Sequence, residues 1–178
     1  HLLQKALQEI LSKDVRQEGA YYDQDCLHFD YNAEEKPSQD VLDRIERRVN
    51  EEIFAHLPVS TAVRKKEDAR KRKARHLFGE KYGDLVRVVS MGDYSVEFCG
   101  GTHVGNTSEI GLFAIVGEES VSAGVRRITA YTYRKAYDFF KEKQGRLNEA
   151  ARLLSVSSDK SVRGKILSDK AAAAELTS

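Results

Sequence analysis

The sequence predicts an α+β fold, with helices packed on one side of a mainly antiparallel sheet and a helical extension after it. Three patterns carry this reading. Apolar residues recur three and four apart near the start, in the middle and from about Tyr133 onward. Between them lie stretches rich in β-branched residues and bounded by glycines. Two of those stretches flank Gly92-Asp93, a pair that favours a tight hairpin turn.

The elements follow in order. Leu3, Leu7, Ile10 and Leu11 predict a short amphipathic helix over residues 2–12. VRQEG (15–19) and CLHFDY (26–31), separated by the polar YYDQD, read as a hairpin with alternating burial. Pro37-Ser38 closes that section, and Ser38 or Asp40 can cap a second helix. Its apolar stripe is Leu42, Ile45, Val49 and Ile53, and Pro58 stops it. LVRVVSM and YSVEFC form the hairpin around Gly92-Asp93, which delivers Cys99 at a strand end. Residues 111–118 and 124–132 are further β-rich stretches. From Tyr133 the spacing of Phe140, Leu147, Ala151 and Leu154 is helical, SVSSD at 155–159 breaks it, and an alanine-rich segment predicts another helix. The expected division is therefore 1–132 for the domain and 133–178 for a helical linker, whose two helices can pair as an antiparallel hairpin.

Composition narrows the class. Hydrophobic residues at 40% and charged residues at 32% of 178 fit a globular protein with a core of its own. No apolar run reaches the roughly 18 residues that span a bilayer. Two cysteines, Cys26 and Cys99, argue against a disulfide scaffold and for a reducing, cytoplasmic setting. The chain opens on histidine and runs straight into a helical pattern, as expected of a piece of something longer. The net charge of +1 conceals a block from Arg64 to Arg75 with eight basic residues and two acidic ones. Such a block meets a phosphate backbone or forms a solvated helix face.

Cys99-Gly100-Gly101-Thr102-His103 is the most informative motif. A thiol and an imidazole four apart can close on one metal, and both are preferred zinc ligands. The two glycines permit a sharp turn and a close approach, because they reach positive φ at little cost. By itself the spacing is a weak metal signal. His1 has Lys5 at i+4, which is no zinc ligand, so by spacing alone it reads as an incidental terminal residue. Thr102 reads as a turn residue. His28, between Leu27 and Phe29, reads as a sheet-surface residue, and Cys26 as a small buried one. An oxidised Cys26–Cys99 pair would remove a ligand. His56 and His76 have no partner motif.

Several motifs in one order make the chain resemble the editing region of alanyl-tRNA synthetases and their free-standing relatives. The opening HLL is similar to the second half of that family's helix motif H-x-x-x-H, and CGGTH is intact at 99–103. VRQEG, LHFDY, LFGEKYGDLVRVV, EIGLF and AGVRRI stand in the family's order across residues 1 to about 132. The resemblance implies hydrolysis of tRNA(Ala) mischarged with serine or glycine at a zinc site. It implies His1, Cys99 and His103 as ligands. The family's first helix histidine has no counterpart in the sequence, so the expected site is three-quarters complete and the expected activity weak or absent. It places Gln17 with Cys99 in the editing pocket. It mildly favours tRNA contact by Arg126 or Arg127, expected on opposite faces of one strand. Arg70, Lys71, Arg72 and Lys73 of the basic block are the other candidates. ATP and Mg²⁺ are implied only for a synthetic domain outside this sequence.

Two departures stand out: Ala20 where the family has serine, and His28 where it has arginine. A threonyl-tRNA synthetase type of editing domain is the closest competitor, but that family has proline at the position of Thr102. A non-catalytic, zinc-stabilised RNA-binding or oligomerisation module, self-associating through the helical tail, is the alternative of another class.

Overall fold

The computed structural model describes residues 1–71, 83–154 and 163–170. The chain divides into two compact units, His1–Ala136 and Tyr137–Ser178. The first is α+β, as predicted, with its antiparallel strands distributed over two sheets.

Its larger sheet has the order β1-β2-β7-β6, built from Gln17–Tyr22, Leu27–Asn32, Val125–Thr132 and Phe113–Ser122. One face is covered by α1 (Leu2–Ile10) and α2 (Gln39–Phe54). Leu3 and Leu7 of α1 and Ile45, Val49 and Ile53 of α2 pack there against Phe29, Tyr31 and Ile128. Each such side chain contributes about 1.5–3 kcal/mol by leaving water. α1 is shorter than its periodicity predicts, because Ser12, Lys13 and Asp14 carry no apolar face to prolong it. α2 buries the four predicted residues, and Ser38 caps it by accepting from the Val41 N–H. Its stop lies before Pro58: the helix ends at Phe54, and His56 turns the chain at φ 55°.

The smaller sheet has the order β3-β4-β5, from Val59–Lys65, Leu85–Met91 and Ser95–Phe98. Gly92, at φ 52°, makes the predicted turn between β4 and β5. No strand is expected over 59–65 from the sequence pattern. β3 is an edge strand with little buried surface, so it lacks the apolar alternation that marks a strand. Its presence divides the basic block: Arg64 and Lys65 end β3, while Lys66–Lys71 form the short helix α3. Residues 72–75 of that block, and His76, lie outside the described residues.

In the second unit α4 (Tyr133–Leu153), which begins in the first, continues the expected helix, and residues 163–170 are helical. Phe140 and Leu147 of the predicted stripe are exposed, and Ala151 is buried. The SVSSD break lies outside the described residues. Among those residues no helix is long and apolar enough to cross a membrane.

Candidate metal centre

The alternation of β5 builds one wall of the site. Val96 and Phe98 pack into a small cluster with Ala69, Val86 and Val88. Ser95, Glu97 and Cys99, at the intervening positions, therefore emerge together on the other side. His1, at the N-cap of α1, faces that row. Its Nδ1–H donates to Glu97 Oε2 at 2.6 Å, and the buried Ser95 hydroxyl donates to Glu97 Oε1 at 2.7 Å. Glu97 thus fixes the imidazole and leaves Nε2, with its lone pair, available beside Cys99 and His103. His103 Nε2 lies 3.3 Å from Cys99 Sγ, and the two imidazole rings are 5.0 Å apart. The donor atoms of His1, Cys99 and His103 all lie within 4.8 Å of one another.

The loop that returns from Cys99 to His103 is held from both ends. The Arg87 guanidinium on β4 donates to the carbonyls of Cys99 at 2.7 Å and Gly101 at 2.5 Å. Beyond His103, Val59 N–H donates to Gly105 O, and buried Thr107 exchanges hydrogen bonds with Leu57 and Glu52 at the end of α2. Asn106 and Glu109 complete a reciprocal cap on the 3-10 turn Thr107–Ile110. Neither Gly100 nor Gly101 has a positive φ, contrary to the expectation from the motif. A Cβ at Gly101 would lie in ordinary van der Waals contact with the donors, 3.6 Å from Cys99 Sγ and 3.9 Å from His103 Nε2.

The two histidines are tuned in opposite directions. Burial by itself lowers the His1 pKa, but Glu97, through its hydrogen bond and charge, and Cys99 outweigh it, so the net shift is upward. Burial, then the neighbouring His1 and Arg87 charges, lower that of His103 and favour the neutral imidazole that binds metals. A thiol and two imidazoles converging with a carboxylate behind one of them form a donor set for a borderline-soft divalent cation.

The other sequence candidates are placed as follows. Gln17 is half-buried at the start of β1, opposite Tyr31. Directly opposed residues share a face, so Gln17, Ala20 and Tyr22 lie on the face of Tyr31, Phe29 and Leu27. Partial desolvation, then the charges of Cys99 and Glu97, raise the Tyr22 pKa. Arg126 and Arg127 do take opposite faces, and each meets a carboxylate. Arg126 donates to both oxygens of Glu118, at 2.5 and 2.8 Å, and Arg127 to both of Asp30, at 2.6 and 2.8 Å. Arg70 and Lys71 close α3, and Arg72 and Lys73 lie outside the described residues. Thr102 is exposed at the loop tip. His28 is a half-buried sheet residue between Cys26 Sγ and Thr129 Oγ1, and both cysteines are free thiols.

Glu97, Ser95, Arg87 and Tyr22 are absent from the sequence reading. The first two were legible, since S-x-E-x-C on a strand puts all three side chains on one side. Arg87 and Tyr22 act across strands, which the local pattern does not show.

Residues 86–129 match the family model of the threonyl and alanyl tRNA synthetase second additional domain. The chain is 51% identical over 159 residues to an alanine–tRNA ligase of Halorhodospira halophila, covering 89% of this chain and 18% of that protein. It is 48% identical over 157 residues to the alanine–tRNA ligase of Geobacillus thermodenitrificans, covering 88% and 18%. The alanine–tRNA ligase of Ligilactobacillus salivarius is 46% identical over 166 residues, covering 93% and 19%. The chain spans less than a fifth of the length of these curated relatives.

Proposed function

We propose, from the premise that this chain is related to a segment of the alanyl-tRNA synthetases, that it carries the editing reaction of such an enzyme. The substrate is tRNA(Ala) mischarged with serine or glycine, and the reaction is hydrolysis of the ester at the terminal adenosine. The need for a second site is physical. A synthetic pocket sized for alanine gains only about 1–3 kcal/mol from one methylene, and it rejects an added hydroxyl poorly.

The observation that carries this reading is the bond from His1 to Glu97, which leaves the free nitrogen of His1 beside Cys99 and His103. The carboxylate–imidazole pairing is the usual support of a zinc-ligating histidine. The donors fit zinc: its bond lengths put tetrahedral ligand atoms about 3.5 Å apart, and Cys99 Sγ and His103 Nε2 are 3.3 Å apart. Bound zinc supplies positive charge that orients or polarises the aminoacyl end of the substrate. Glu97 holds the His1 proton at Nδ1, and Arg87 holds the Cys99 and Gly101 carbonyls away from the donor side. Gln17, opposite Tyr31 on β1, offers in this reading a carboxamide that both donates and accepts, suited to a serine hydroxyl or α-amine.

Affinity for the RNA comes in this reading from the basic stretch that includes Arg70, Lys71, Arg72 and Lys73, through salt-dependent phosphate contacts. Contact by Arg126 or Arg127 would have to compete with Glu118 or Asp30. The tail beyond Tyr133 acts as a linker, and its self-association is tested by sedimentation at several concentrations.

The test is deacylation of seryl-tRNA(Ala) by this chain and by a version extended at its amino terminus. Cleavage that is lost in Cys99→Ala supports the reading. Absence of cleavage by either form sinks it and leaves the non-catalytic RNA-binding module. Preference for seryl-tRNA(Thr) would instead identify the threonyl type.

A further inference from the structure

The loop from Cys99 to His103 brings a thiol and an imidazole to 3.3 Å of each other, yet neither of its glycines takes a positive φ. Its backbone is also sparsely held. Among the described residues, one hydrogen bond alone reaches Gly100, Gly101 or Thr102, and it comes from Arg87. All three residues are exposed, so packing does not fix them either. The bonds that tie down the chain beyond His103 begin at Gly105, whose carbonyl accepts from Val59 N–H.

The register of β4 decides where Arg87 points. Val88 pairs with Phe98, so Arg87 stands opposite Cys99, one step past the end of β5, and its carbonyl accepts from Cys99 N–H at 3.1 Å. Val86 and Val88 face the small apolar cluster, which turns the Arg87 side chain to the other face, that of the thiol. There Nη1 bridges two carbonyls with its two hydrogens, Cys99 at 2.7 Å and Gly101 at 2.5 Å. Nη2 reaches Thr61 Oγ1 on β3 at 3.4 Å. One side chain thus ties the first half of the loop to two strands.

The partners separate this arrangement from an ordinary ion pair. Arg126 and Arg127 each end on a carboxylate. Every acceptor of Arg87 is neutral, and among the described residues no carboxylate joins them. A charged donor strengthens its bonds to carbonyls, and the planar guanidinium fixes their directions. An exposed loop without internal hydrogen bonds needs both to keep one shape.

We infer that Arg87 is the positioning residue of the metal centre: by bridging the Cys99 and Gly101 carbonyls it sets the loop so that His103 meets Cys99 and His1 at one point. The inference rests on the reading of that trio as a metal site, and on no particular substrate.

The test titrates zinc into the intact chain and into Arg87→Met, Arg87→Lys and Thr61→Val in a competitive chelator assay, with Co²⁺ as a spectroscopic probe of thiolate coordination. Arg87→Met should weaken zinc binding about tenfold or more and change the Co²⁺ spectrum. Removing a positive charge by itself favours a second cation, so weaker binding reads the lost bridge and not the lost charge. Arg87→Lys should recover part of the affinity, because an ammonium can still donate to both carbonyls. Thr61→Val leaves both carbonyl bonds in place and should bind as wild type. Wild-type affinity and an unchanged Co²⁺ spectrum in Arg87→Met overturn the inference. Weaker binding that Arg87→Lys does not relieve, with a lowered Tm of the metal-free chain in both variants, marks a role in the fold alone and overturns it too. If the intact chain retains no zinc, the metal reading fails, and the bridge is read from the thiol instead. In a Cys26→Ser background, Cys99 should then react several-fold faster with an aromatic disulfide reagent in Arg87→Met than with Arg87 in place. Equal rates overturn the bridge.

Discussion

Two carboxylates, Glu97 and Glu118, anchor polar clusters in the same unit, and they are closed to different degrees. Glu118 accepts from Nε and Nη2 of Arg126 and from the hydroxyl of the buried Tyr31 at 3.2 Å. Glu97 receives the Ser95 hydroxyl and the His1 ring, yet His1 keeps a second nitrogen beside a thiol and another imidazole. The first cluster completes a sheet. The second directs a thiol and two imidazoles to one point, and that convergence is what separates a binding centre from structural polarity.

The sharpest way to break the comparison is to remove a donor. Cys99→Ala should abolish stoichiometric zinc retention, read by metal analysis after dialysis, with little change in Tm of the metal-free chain. Breaking the other cluster should do the reverse. Glu118→Ala leaves Arg126 buried without its carboxylate, and should lower unfolding free energy by about 3 kcal/mol in urea titration, with zinc stoichiometry retained. Glu97→Gln is intermediate, because it loosens His1 without deleting a ligand. It should weaken zinc affinity about 10–100-fold in a competitive chelator assay, and a value equal to wild type would remove Glu97 from the centre.

The smallest effect concerns Asp30 on the far face of the sheet. The hydrogen bond from Arg127 outweighs desolvation and, with the Arg127 charge, holds the Asp30 carboxyl below its ordinary pKa. A depressed carboxyl stabilises the fold above its unfolded value of about 4, and that contribution disappears as the pH falls through the folded value. Asp30→Asn should therefore flatten the acid limb of Tm against pH below about pH 4, while leaving Tm near neutrality within a few degrees.

Much of this was legible in the sequence where the information is local. The stripe Leu42, Ile45, Val49 and Ile53 names the buried face of α2, and Gly92-Asp93 names the turn before β5. The pairing of His1 with a site 98 residues later was legible only through the family resemblance, because no spacing rule connects a helix start to a distant loop. β3 was missed because an edge strand buries too little to impose alternation. The positive φ expected of the CGGTH glycines is not found at Gly100 or Gly101, and the carbonyls of Cys99 and Gly101 are held across strands by Arg87, which the local pattern does not show.

The four-residue strand β5 has a consequence for how the length of this region can vary. Ser95, Glu97 and Cys99 occupy one parity of the strand, and Val96 and Phe98 the other. One residue inserted at the start of β5, with the turn at 92–94 kept as short as it is, would slide the strand by one against β4 and exchange the two sets at a stroke. The aromatic ring would face the donors and the thiol would face the small apolar cluster. A two-residue insertion would restore the arrangement. While the turn stays short, the stretch from it to Cys99 can change length only by even steps, much as a reading frame tolerates only whole codons.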